Sequence, residues 1–349
     1  MNELVFMLSF LGLVTLLLFL DLGVFHKKDH EISFKEATIW TCVWISVALL
    51  FYVFIYFKAE LIHGVENINQ LVELNARHGH NIKFDLLAPF ADNIELYRKA
   101  MSLEYLTGYL IEKSLSIDNI FVMIMIFMSF GVDKKYYHRV LFYGILGAIV
   151  LRFCFIFGAS ALIQRFHWIL LLFGIILIFT GIKMFVDRNK KESINTEEHP
   201  LVRFLSKRKM VSPAFHGHDF FVRLDHKKLC TPLFVVLIII ELSDVVFAFD
   251  SIPAIFSVTQ DPYIVFFSNI FAILGLRSLF FMLESVMDKF IYLKIGLSVL
   301  LVFIGVKMLL PDIFGLHIDT DISLLVVLGI LTISILGSIL FPKKNTVEG

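Results

Sequence analysis

Cysteine is nearly missing from this chain. Its 349 residues include only Cys42, Cys154 and Cys230, scattered and with no C-x-x-C pair. That argues against a disulfide framework and against a thiolate metal site. Charge is scarce as well: Asp, Glu, Lys and Arg make up 18% of the residues, against roughly a quarter in a soluble domain. The formal net charge is zero, so there is no global basic signal for nucleic acid. The N-terminus lacks a positive n-region. It opens "MNELVFM", and the first apolar block ends "LDLGVFHKK" with no small-residue cleavage site, which reads as a retained helix and not a signal peptide. No nucleophile–base set stands out either, so the chain is not expected to be an enzyme.

What is there is apolar. Hydrophobic residues make up 58% of the chain and the mean hydropathy is +0.81. They come in blocks of about 20, the length that crosses a ~30 Å hydrocarbon core as a helix. The expected fold class is an all-α polytopic membrane protein. Nine spanning helices are expected at 3–24, 38–57, 101–130, 139–162, 168–187, 232–257, 262–284, 290–310 and 322–341, the third and sixth interrupted. Positive charge sets the orientation. Lys27, Lys28 and Lys35, then Lys134, Lys135 and Arg139, then "RFLSKRK" and "DHKK", then Lys289 and Lys294, then Lys343 and Lys344 mark one side. The loops "VTQDP" and "PDIFGLHIDTD" hold no Lys or Arg. The N-terminus is therefore expected outside and the C-terminus in the cytoplasm. Loop 58–100, assigned outside, dilutes five basic residues among six acids.

Internal similarity divides the chain further. "EKSLSIDNIF" (112–121) and "DVVFAFDSIP" (244–253) share an acid, five residues, Asp, a small polar residue and Ile. This pairs Glu112 with Asp244, Asp118 with Asp250 and Asn119 with Ser251, at an offset of 132. The next helix of each set holds a buried arginine, Arg152 or Arg277, and the one after ends "GIKM" or "GVKM", at offsets of 125 and 124. Regions 101–187 and 232–310 therefore read as two copies of a three-helix unit. Two helices (1–57) and an extracytoplasmic loop (58–100) precede them, a basic cytoplasmic loop (188–231) separates them, and a last helix (322–341) follows. An odd number of crossings per unit inverts the second copy, and inverted repeats with broken helices are a transporter architecture.

The acids carry the chemistry. A carboxylate at mid-bilayer costs roughly 2.5–3.5 kcal/mol and usually faces a cavity or a partner. "ELSDVVFAFDSIPAIF" (241–256) has three, Glu241, Asp244 and Asp250, of which Glu241 and Asp244 share a helix face. In the first copy, "KSLS" between Glu112 and Asp118 can bond its own backbone and favour local unwinding. In the second, Pro253 cannot donate to the carbonyl of Phe249, which frees an oxygen beside Asp250. With Asn119 and Ser251 the set is rich in oxygen and suits Mg²⁺, Ca²⁺ or Mn²⁺ over Zn²⁺ or Cu⁺. The four paired acids give −4 and the two arginines +2, so one divalent cation or two protons would neutralise the set, the arithmetic of a cation/proton exchanger. The plainer reading is that the acids pair with Arg152, Arg277 and Lys113 to fix helix packing, but two arginines are too few for all of them. Asp21 reads as an interface or ion-path residue, Glu104 as a ligand on the way in or a solvated group. Asn269 reads as a cavity residue or a cross-helix bond. Lys183 and Lys307 are expected to snorkel to the interface, and His216 and His218 to be hydrated loop residues.

The stretches "FLDLGVFHKK", "EYLTGYLIEKSLSIDNIFV", "HGHDFFVR" and "TPLFVVLIIIELSDVVFAFDSIPAIFSVTQDPYIVFFSNIFAILGLRSLFF" run in order from about residue 15 to 310. In them the chain resembles the TerC family of integral membrane proteins, within the wider LysE-type transporter superfamily. The family is named for tellurium resistance. The resemblance implies Mn²⁺ efflux, with Mn²⁺ as cargo, and the expected place is the bacterial inner (cytoplasmic) membrane; protons as the coupled ion are the expectation from the charge count, and no permanent cofactor is expected. The resemblance places Glu112, Asp118, Asn119, Glu241, Asp244, Asp250 and Ser251 around the metal, while Arg152 and Arg277 compensate charge. The residues alone leave Ca²⁺ or another hard divalent cation open. The alternative from another class is a membrane scaffold for stress-response or insertion partners, working through loop 188–231.

Overall fold

The computed structural model describes residues 3–25, 32–80, 82–166, 168–187, 211–212, 217, 219–224, 227–285, 292–316 and 318–340. The chain is almost wholly helical: α1 (Glu3–Phe25), α2 (Phe34–Lys58), α3 (Glu60–His63), α4 (Ile68–His78), α5 (Phe90–Ser129), α6 (Tyr137–Arg165), α7 (Ile169–Asp187), α8 (Pro232–Phe256), α9 (Pro262–Leu274), α10 (Leu276–Glu284), α11 (Leu293–Phe314) and α12 (Thr320–Leu340). Short-range chemistry sets several boundaries. Ser33 accepts from the Glu36 amide at 3.2 Å to start α2, and Asp261 accepts from the Tyr263 amide at 2.9 Å to start α9. Thr231 caps α8, and both α8 and α9 have proline in their first turn, where its missing N–H costs nothing. Asn67 opens α4 and Gly79, at φ +61°, closes it.

Among the described residues six helices are long and apolar enough to cross a membrane, and seven when α9 and α10 count as one bent span. The described part of every expected span lies on helix, but α5 and α11 are not in that set. The first carries Glu104, Glu112, Lys113 and Asp118, and the second offers only the shorter apolar stretch Ile295–Pro311.

Three local expectations differ from the structure. The third and sixth helices are continuous: α5 runs through "KSLS", where Ser114 donates to the Leu110 carbonyl within the helix and does not unwind it. Helix α8 passes Pro253 and ends three residues later, so the missing N–H falls in its final turns. The break lies in the seventh helix instead, at Gly275, where α9 and α10 meet at 42°. A Cβ at Gly275 would sit 2.8 Å from the mobile end of Lys113 and 3.0 Å from Trp44 Cβ, so the glycine relieves crowding at the bend. Segment 58–100 is also no open loop, since it forms α3, α4 and the first turns of α5. In loop 188–231 the described part includes a hairpin, β1 (Phe221–Leu224) against β2 (Lys227–Cys230); His216 and His218 lie outside the described residues. Lys307 is 8% exposed and so does not snorkel, whereas Lys183 is exposed.

Aromatic packing joins the N-terminal helices to the second half. Phe10 of α1 meets Phe267 of α9 at 4.4 Å between ring centroids, and Phe51 of α2 meets Phe271 at 4.8 Å. Helices α7 and α11 approach through small residues, as membrane helices do. A Cβ at Gly174 would lie 3.1 Å from the Gly305 carbonyl, and one at Gly181 would lie 2.8 Å from the Ser298 carbonyl. Seven residues forward on α7 are thus seven residues backward on α11, which makes the pair antiparallel.

Candidate functional site

Four helices each deliver one polar side chain to a single buried point. They are Glu112 from α5, Arg152 from α6, Asp244 from α8 and Asn269 from α9, none more than 4% exposed. The Arg152 guanidinium donates from Nε to Asp244 Oδ2 at 3.3 Å and from Nη2 to Asp244 Oδ1 at 3.0 Å. Its Nη1 donates to Glu112 Oε1 and, at 3.1 Å, to Asn269 Oδ1. Asn269 Nδ2 closes the ring by donating to Glu112 Oε2 at 3.1 Å. The planar fork of arginine suits this, since one side chain serves two carboxylates with directed, charge-assisted bonds. Asn269 therefore bonds across helices, and Arg152 joins Glu112 of α5 to Asp244 of α8, two acids that the sequence comparison matched.

Beside this ring lies Glu241, one helical turn before Asp244. Its carboxylate sits in a notch cut into α6 by Gly144 and Gly147: a Cβ on Gly147 would be 2.6 Å from the carboxyl carbon. Glu241 Oε2 has no hydrogen-bond partner among the described residues. A cavity of about 20 Å³ opens here, lined by Glu241, Asp244 and Arg277 with Met123, Ile145 and Ile240. That is room for one water or one desolvated ion. Arg277, from α10, is 1% exposed. The matched pair Asn119 and Ser251 is also buried, at 2% and 1%, and Asn119 Nδ2 and Ser251 Oγ lack partners among the described residues. Buried polar atoms without partners are uncommon and call for an explanation. The acids that line the cavity, Glu241 and Asp244, offer carboxylate oxygen, the donor type that suits a hard divalent cation.

The remaining expected residues divide. Asp118 and Asp250 lie on helical backbone, each one position before the matched polar pair, and Asp21 lies on α1; their side chains lie outside the described set. Glu104 is neither solvated nor part of the Arg152 ring. It is 4% exposed and accepts from His80 Nδ1 at 3.0 Å. Lys113 turns away from the acids and donates to the Ala272 carbonyl at 3.3 Å.

Sequence reasoning missed two features. The first is the Gly144/Gly147 notch, whose only trace is the spacing in "GILG". The second is a buried group of histidines at the end of the bundle where α1 begins. Its trace is "HGVENINQLVELNARHGH" (63–80). Here His63 lies between Glu3 and Asp261, at 2.8 Å from each. Burial opposes charge on His63, but Asp261 and Glu3 outweigh it and hold its pKa at about 9. Burial likewise opposes charge on Asp261, and His63 overcomes it, holding the carboxyl well below the usual carboxylate range.

Comparison with known proteins agrees with this architecture. The chain matches the "Integral membrane protein TerC family" model over residues 97–346. It is 44% identical over 332 residues to an uncharacterized membrane protein of Myxococcus xanthus, covering 95% of this chain and 91% of that one. It is 42% identical over 327 residues to an Escherichia coli protein named "Putative membrane-bound redox modulator Alx", covering 93% and 91%. An uncharacterized membrane protein of Rickettsia bellii is 38% identical over 339 residues, covering 97% and 98%. No solved structure matches. With a family match across most of its length and relatives that align nearly end to end, the chain belongs to the TerC family of integral membrane proteins.

Proposed function

We propose that this protein exports divalent cations, Mn²⁺ foremost, from the cytoplasm by alternating access between its two three-helix units. The observation that carries the reading is the buried site in which Arg152 joins Glu112 to Asp244, while Glu241 Oε2 has no partner among the described residues and faces an ion-sized cavity beside them. Arg152 gives Glu112 and Asp244 a fixed positive partner. An arriving dication competes with the guanidinium for those carboxylates, and Glu241 with Asn119 and Ser251 completes its shell. The antiparallel α7–α11 contact supports the inverted repeat. At the offset of the repeat, Gly181 corresponds to Gly305 and Gly174 to Ser298, so each contact is the mirror of the other. The orientation of nine crossings, N-terminus outside and C-terminus cytoplasmic, and inward proton coupling complete the proposal.

Cellular manganese, measured by elemental analysis in a strain lacking and then expressing the chain, tests it. Asp118→Asn, Asp250→Asn and Glu241→Gln should each abolish the drop in manganese at unchanged protein level. Variants that still lower manganese as wild type does would remove these residues from the site. Inverted vesicles separate Mn²⁺ from Ca²⁺ by competition, and transport indifferent to an imposed pH gradient would remove the proton.

The relatives' printed name speaks of redox modulation. In this chain Cys42, Cys154 and Cys230 form no disulfide and stand on three different elements, α2, α6 and β2, so a dithiol step would have no adjacent pair to use. A cysteine-free variant should therefore export as wild type does. Loss of function on deleting part of 191–228, with the acid variants active, would favour the scaffold reading.

A further inference from the structure

The histidine group is built from five parts of the chain: Glu3 at the start of α1, His63 at the end of α3, His78 and His80 around the end of α4, Glu104 on α5 and Asp261 at the cap of α9. The side chains of His63, His80 and Asp261 are at most 1% exposed, and His78 is 3% exposed. His63 Nδ1 bonds Glu3 Oε1 and His63 Nε2 bonds Asp261 Oδ2, each at 2.8 Å. The rings of His63 and His78 are 5.5 Å apart, and those of His78 and His80 5.7 Å. One ligand atom from each of His63, His78 and Asp261 lies within 4.8 Å of the others. His78 Nδ1, buried in this group, has no hydrogen-bond partner among the described residues, and neither has His80 Nε2.

We propose that His63, His78 and Asp261 form a second metal site, separate from the cargo site and selective for a borderline first-row dication such as Zn²⁺ or Co²⁺. Two imidazoles and a carboxylate are the ligand chemistry of such ions, and along the divalent series they hold Zn²⁺ more tightly than Mn²⁺. The Arg152 site offers no nitrogen ligand, so the two sites differ in preference. A metal on His63 Nε2 takes the place of the proton now shared with Asp261, and the three ligand atoms draw in from 4.8 Å. His63 Nδ1–H stays on Glu3, the carboxylate–histidine–metal relay that fixes a ligand's tautomer. His80, fixed by Glu104 in the same way, stands next to the site with its Nε2 available as a further ligand.

The two sites communicate through shared helices. Glu104 and Glu112 are eight residues apart on α5, as are Asp261 and Asn269 at and on α9, a rise of roughly 12 Å. Metal in the histidine site clamps α1, α3, α4 and α9 together and fixes the end of the helix that carries Asn269. This role stands whether or not the Arg152 site moves manganese.

The test uses the full-length chain, purified in detergent and stripped of metal. Equilibrium dialysis against Zn²⁺ followed by elemental analysis counts retained ions, and Co²⁺ titration reports the ligands through its visible absorption. Wild type should retain one Zn²⁺ that Glu241→Gln also keeps and that His78→Gln and Asp261→Asn lose, with at least a tenfold weaker Co²⁺ titration. Asparagine can still cap α9, so Asp261→Asn keeps the test valid should His78→Gln fail to fold. Equal Zn²⁺ retention by wild type and Asp261→Asn would overturn the site. So would a Co²⁺ spectrum of the wild type without nitrogen ligation, or loss of the ion in Glu241→Gln alone.

Discussion

Arg152 is among the largest fully buried side chains of the described structure, and it serves carboxylates from α5 and α8 at once. Truncating one partner of a buried ion pair typically costs ~3–5 kcal/mol, because the other charge is stranded. Arg152→Met strands both Glu112 and Asp244 and should lower the thermal midpoint in detergent by the equivalent of at least that amount. Arg152→Lys keeps the charge but loses the fork; it should melt above Arg152→Met and still fail to export manganese. The Gly147 notch gives a second residue-scale prediction. Gly147→Ala would place its Cβ 2.6 Å from the Glu241 carboxyl carbon, so it should push that flexible carboxylate out of the notch at a small cost in stability. Because the clash is with that one side chain, Gly147→Ala should cost almost nothing in a Glu241→Ala background. A double-mutant cycle on thermal stability reads the coupling, and additive costs would count against the notch.

At the scale of elements, the helices were legible from apolar blocks, while their details depended on neighbours. The start of α5 was read at 101 and lies at Phe90, because its first turns lie outside the apolar block and carry Asp92, Glu95, Arg98 and Lys99. Those turns are held to α3 by Arg98, which donates from Nε and Nη2 to Glu60 at 2.7 and 2.5 Å. Burial alone would raise the Glu60 pKa, but the Arg98 hydrogen bonds outweigh it and lower it. A carboxyl depressed in the folded state contributes stability above its ordinary value and loses it as the pH falls. The α3–α5 clamp, worth up to about 1 kcal/mol for a partly exposed pair, should therefore release below about pH 4, near the ordinary glutamate pKa of ~4.3. Hydrogen exchange in 60–63 should rise at that pH in wild type and at neutral pH in Arg98→Ala. The bend at Gly275 was illegible for a different reason: its φ of −85° is open to any residue, and the crowding there comes from Lys113 and Trp44, which belong to other helices. Glu112, Arg152 and Asp244 stood out because charge is rare in these blocks, whereas Asp261 lies 198 positions from His63, too far for sequence spacing to join them.

Over the whole molecule, the nine crossings proposed above would place the two termini on opposite sides. A reporter fluorescent only in the cytoplasm, fused at the C-terminus, should be bright, and a phosphatase active only outside should be dead there; the reverse would invert the proposed orientation. The proposed repeat was read from the order and offset of charged residues, while the packing of α7 on α11 was not legible, since nothing in the spacing of Gly174, Gly181, Ser298 and Gly305 says which of them meet. Those glycines have one more consequence. Gly174 approaches Gly305 as Gly181 approaches Ser298, so the seam between the halves is self-complementary. Two identical three-helix units, inserted head-up and head-down, would form it with each other. If the proposed repeat holds, the molecule is a dimer whose partners share one chain, and two fragments cut within 188–231 and made together should find one another along that seam.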